Sequence, residues 1–115
     1  MSTIKVDTIK NTSNVEVFTC KAWVNFNGTG TVAIRGSGNV TSITDVSSSK
    51  YRVNFATAMP DANYSTTSMG DVANGANVII NSGETPPATS FIELRTYNIS
   101  WAGVDSSYVF IAVFR

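Results

Sequence analysis

The sequence predicts an all-β protein: an antiparallel β-sandwich, jelly-roll-like, of about eight or nine strands. Three observations point there. Helical periodicity is absent, and apolar residues alternate with polar ones at period two. Gly, Asn, Asp and Pro interrupt that alternation roughly every ten residues. Ser, Thr and Asn together make up about a third of the 115 residues, and these side chains compete with helical backbone hydrogen bonds while suiting exposed strands and turns.

Taken in order, residues 1–13 read as an extended lead-in from a preceding region, since Ile4, Val6 and Ile9 are too few for an independent element. Residues 14–115 then form a single domain. Val15 to Phe26 is the cleanest strand: Phe18, Cys20, Ala22, Val24 and Phe26 share one face, and Trp23 stands among polar residues on the other. Cys20 is accordingly expected to be a buried, inert thiol. Asn27-Gly28-Thr29-Gly30 should turn the chain by supplying positive φ angles at Asn-Gly. Thr31–Arg35 returns as a strand, Gly36-Ser37-Gly38-Asn39 turns again, and Val40–Val46 is the next strand. Ser47–Ser49 is a loop, and Tyr51, Val53 and Phe55 mark the inward face of the strand after it. Met59–Asn63 is a Pro/Asp turn. Tyr64–Met69 is a Thr/Ser-rich strand, followed by a loop at Gly70–Gly75. A short strand lies at Asn77–Asn81, and Gly83–Pro87 cannot continue it because two prolines remove ladder donors. Phe91–Ile99 is a strand and Ser100–Ser107 a loop carrying Trp101. Tyr108–Phe114 closes the chain, apolar on both faces, so it should be central in its sheet or covered by something else.

Gly28-Thr29-Gly30-Thr31-Val32-Ala33 matches the dinucleotide fingerprint G-x-G-x-x-A. That motif works only where its glycines open a helix whose N-terminus holds pyrophosphate. Here β-branched residues and two further glycines follow, so the segment is a hairpin and implies no cofactor. The chain contains no histidine, which removes Ser-His-Asp and Cys-His catalysis and the commonest zinc ligand. Half of the eight acids sit beside Gly, Pro, Asn or Ser, as turn formers do, and Glu93 with Arg95 reads as a surface pair. No catalytic residue and no metal site is expected. Net charge is zero, so neither a basic nucleic-acid footprint nor a polyelectrolyte tail is present. No run approaches the ~20 apolar residues of a membrane span, and no secretory leader is visible.

The aromatics carry the functional signal. Trp23 on a polar face, and Tyr108, Phe110 and Phe114 opposite Val109, Ile111 and Val113, suggest one more buried face than a two-sheet domain supplies. A second copy would cover it. Trp101 in its loop, with Tyr97, Asn98 and Asp105 nearby, is the candidate ligand contact.

The segments IKVDTIKNTSN, VFTCKAWVNFNGTGTVAIRGSGNVTSITD and YRVNFATAMPDANY, with the closing YVFIAVFR, resemble the C-terminal regions of virion structural and tail-fibre proteins of marine bacteriophages, notably those infecting cyanobacteria. The similarity spans roughly Ile4 to Tyr64 and the last ten residues. It implies a distal β-sandwich domain, a homotrimer, a place on the virion after synthesis in the host cytoplasm, and attachment to a host-surface glycan or protein. It carries over no catalytic residue. A trimerisation or capsid-decoration domain without a receptor is the alternative, and a carbohydrate-active enzyme with paired carboxylates is a third.

Overall fold

The computed structural model describes residues 2–72, 75–76, 78–81 and 85–115. Parts of two expected loops, at Ala73, Asn74, Gly83 and Glu84, and the expected strand start at Asn77 lie outside the described residues. Among the described residues the chain forms nine strands: β1 (Cys20–Asn27), β2 (Ala33–Gly38), β3 (Val40–Ser47), β4 (Lys50–Phe55), β5 (Ser65–Val72), β6 (Gly75–Ala76), β7 (Val78–Asn81), β8 (Phe91–Tyr97) and β9 (Tyr108–Phe114). Every pairing is antiparallel, in two sheets ordered β2-β1-β9-β5-β6 and β3-β4-β8-β7. The all-β sandwich expected from period-two alternation is what forms.

The alternation becomes a core because inward residues of both sheets meet. Ala22, Val24 and Phe26 of β1 and Val109, Ile111 and Val113 of β9 face Tyr51, Val53 and Phe55 of β4 and Ile92 and Leu94 of β8. Registers Val24↔Ile111 and Val53↔Ile92 align these side chains within each sheet. Phe26 meets Tyr51 edge-on across the sheets at 5.4 Å, and Phe55 meets Tyr64 in the same way at 5.8 Å, the arrangement that ring quadrupoles favour. Strand β9 lies between β1 and β5, so its two apolar faces have the central placement expected of them.

Four local readings need correction. The expected Gly70–Gly75 loop is strand at its described residues: β5 runs on through Val72 and β6 begins at Gly75. The first strand begins at Cys20, not Val15; Phe18 is 76 % exposed, and Cys20 is an exposed thiol rather than a buried one. Alternation continues through Val15–Phe18, but these residues stay exposed, outside the core of the two sheets. Gly36-Ser37-Gly38 is strand, not turn: it pairs with Asn25, Val24 and Trp23, and the reversal is made by Asn39 alone at φ 55°. Glycine is needed there because the Trp23 indole lies flat on β2, where a Cβ at Gly38 would stand 2.4 Å from the indole Nε1. The β1–β2 turn takes its positive φ at Gly30 rather than at Asn-Gly, while Asn27 Oδ1 accepts hydrogen bonds from the amide and hydroxyl of Thr29.

Candidate functional site

Two surfaces carry exposed aromatic side chains, and each follows from how the local backbone is satisfied. The first is the loop after β8. Asn98 Oδ1 accepts from the amides of Ser100 and Ala102, and the Asn98 amide donates to the Ala102 carbonyl. The side chain of Asn98 thus replaces the missing ladder and forces a tight reversal. At its tip Trp101 sits at φ 61°, a left-handed conformation that costs a large residue energy, and its side chain is 65 % exposed. The Tyr97 ring lies 6.0 Å away, tilted 57°, and Ile99 is exposed beside them. The arrangement offers an exposed apolar ring face, which can stack on the C–H face of a sugar or on an apolar side chain.

Of the four residues expected at this site, Tyr97, Asn98 and Trp101 come together. Asp105 has other work. Its Oδ1 accepts from the Ser49 amide at 2.7 Å and from the Tyr51 hydroxyl at 2.9 Å. The same hydroxyl lies 2.7 Å from the Gly28 carbonyl, and the Gly28 amide donates to the Ser106 carbonyl. This buried polar knot ties the β1–β2 turn, the β3–β4 turn and the loop before β9 to one another. Burial, then the hydrogen bond and negative charge of Asp105, push the Tyr51 phenol well above its ordinary range.

The second surface is the outer face of the five-stranded sheet. Asn25 of β1, Phe110 of β9 and Met69 of β5 stand side by side, and Trp23, Ala112 and Thr67 form the next row. Between them is an open depression of about 410 Å³, lined without any charged residue. All four residues expected at an interface, Trp23, Tyr108, Phe110 and Phe114, lie on this face and stay 39–46 % exposed. Met69, 68 % exposed, completes the patch; it is the single large apolar residue in a Ser/Thr strand, and its odd position beside Thr67 was the available signal. Tyr108 is capped by the Arg35 guanidinium at 4.0 Å. Gly38→Ala is expected to lift Trp23 off β2 while leaving the core intact. In a Trp101→Phe background, tryptophan emission should shift to the red with the far-ultraviolet circular dichroism unchanged.

Glu93, expected on the surface beside Arg95, is 1 % exposed. Its carboxylate binds Arg52 Nη2 at 3.0 Å and Lys50 Nζ at 3.3 Å. Burial opposes its ionisation, but hydrogen bonds from Arg52, Thr85 and Lys50 outweigh that and hold it below the usual range. A general acid needs the opposite shift. Among the described residues no group of three or more Cys, Asp or Glu side chains is placed to hold a metal ion. No family model, no curated protein and no solved structure matches this chain.

Proposed function

We propose that this domain is a non-enzymatic, self-assembling attachment module: the distal part of a virion fibre or similar particle protein, trimeric, contacting a host-surface glycan or protein through the Trp101 loop. The observation that carries the reading is the exposed Trp101 ring beside the half-buried Tyr97, presented at a positive-φ backbone position and braced by Asn98. Strain at an exposed aromatic is retained where the side chain is used. The resemblance of YRVNFATAMPDANY and the flanking segments to phage fibre tips agrees with this role. A separate apolar sheet face supports assembly, and assembly makes weak sites effective: three linked contacts gain avidity without strong individual binding.

Adsorption of labelled protein to candidate host cells, alongside a glycan array, tests the reading. Trp101→Ala is expected to lower adsorption at least tenfold while the assembled mass stays that of the unsubstituted protein. Trp101 is exposed, so stability should move by less than about 0.5 kcal/mol. Unchanged adsorption would remove the loop as the contact. The apolar sheet face favours a second reading, a purely structural assembly domain, and protein that never adsorbs to any host cell would select it.

A further inference from the structure

Outside the sandwich, residues 2–18 are exposed throughout, yet part of this arm is built. Asn11 Oδ1 accepts from the amides of Ser13 and Val15, Asn14 takes φ 64°, and the Val17 amide donates to the Ile9 carbonyl at 2.7 Å. The Lys10↔Glu16 bridge makes Ile9–Val17 a small antiparallel hairpin. Alternation then sorts its side chains: Lys10 and Glu16 on one face, Ile9, Val15 and Val17 on the other. Isolated two-stranded hairpins are marginal in water and need a surface to pack on. This one has an apolar face with nothing of its own chain against it: Ile9, Val15 and Val17 are all exposed.

We infer that the Ile9–Val17 hairpin of one copy docks its apolar face into the depression bordered by Trp23, Met69 and Phe110 on a second copy. This names the contact within the assembled reading proposed above and rests on it. Charge matches: neither the depression nor the hairpin face that would enter it carries a charged side chain, and Lys10 and Glu16 would remain in water. Geometry matches as well. Cys20 pairs with Phe114, so the arm leaves the sheet at one end of the same apolar face. The six residues from Asn14 in the hairpin turn to Cys20 reach roughly 20 Å at about 3.4 Å each, about the length of β9.

The area is that of a modest, repeated contact. A large aromatic exposes ~150–250 Å² when free, so the partly covered sheet-face side chains offer on the order of 400–500 Å². Ile9, Val15 and Val17, 43–55 % exposed on the hairpin face, offer a smaller apolar area. In a closed ring each copy makes the contact twice, once with its hairpin and once with its sheet face, so a small contact is repeated at every junction.

Two measurements on the full chain test the contact. Light scattering across a concentration series should show the unsubstituted protein as a multimer, and Val15→Asp with Val17→Asp should raise its dissociation constant at least about thirtyfold, as loss of a central contact does. Circular dichroism should not change, because neither residue touches the core. In a Cys20→Ser background, Val17→Cys with Thr67→Cys should oxidise to disulfide-linked multimers. A multimer indifferent to the arm substitutions overturns the hairpin contact and leaves the attachment reading standing. A disulfide closed within one chain overturns the exchange between copies. A single chain at every concentration overturns both the contact and the assembled form.

Discussion

Tyr51→Ala is expected to lower the unfolding free energy by about 4 kcal/mol, a large fraction of the ~5–15 kcal/mol that holds a domain folded. The residue is fully buried, its ring meets Phe26, and its hydroxyl serves the Gly28 carbonyl and Asp105. Truncation therefore opens a cavity between the sheets and removes the hydroxyl that links the Gly28 carbonyl to Asp105. Tyr51→Phe separates these effects. It keeps the packing, leaves Asp105 bound to the Ser49 amide, and strands the Gly28 carbonyl, for about 1–3 kcal/mol. Urea unfolding of both variants measures the two costs. Equal losses would mean that the hydroxyl, not the ring, carries the site.

The same phenol predicts behaviour in alkali. Its folded-state pKa is raised, so its contribution is complete below the unfolded value near 10 and drains as pH climbs toward the folded one. Tyr64, raised chiefly by burial, acts in the same direction. Stability should fall above about pH 10, and Tyr51→Phe should flatten that limb.

Glu93→Ala is expected to cost about 3 kcal/mol, the lower end for breaking a buried ion pair, because the Arg52 side chain is 34 % exposed and rehydrates in part. Lys50, 16 % exposed, loses most from the missing partner. Acid should reproduce part of this effect in the unsubstituted protein. Glu93 is held below the ordinary carboxylate range, and Asp61, bound twice by Arg115, is lowered to about 2 by those hydrogen bonds. Both shifts are depressions, so their stabilisation is complete above the unfolded values near 4 and is lost as pH falls toward 2. Denaturation midpoints followed from pH 6 to pH 2 should decline in that window. The decline should be shallower in Glu93→Gln, whose starting stability is lower.

Much of this could be read in advance where the signal was local. Alternation around Val24, Val53 and Ile111 fixed which side chains face inward. The β-branched residues after Gly28-Thr29-Gly30 marked a hairpin, and the outward positions of Trp23 and Phe110 marked an uncovered face. Asn98 beside Trp101 signalled a loop whose geometry presents an aromatic ring. The misreadings share one cause. Phe18 and Cys20 continue the same alternation as Val24, yet no strand of the opposite sheet lies over them, so they stay in water. Glu93 has an ordinary outward register, yet Lys50, Arg52 and Thr85 close around it. Asp105 keeps an exposed side chain while its Oδ1 is bound by Ser49 and Tyr51, residues more than fifty positions earlier, a contact that no local pattern announces.

By itself, then, the sequence determined the class of fold, the inward face of each core strand and the aromatic residues left outside. The tertiary structure alone decided which alternating residues are covered, which acids are spent on internal bonds and where the two apolar surfaces lie. Periodicity is set by backbone geometry between neighbours along the chain; burial and pairing depend on what distant segments bring over a face.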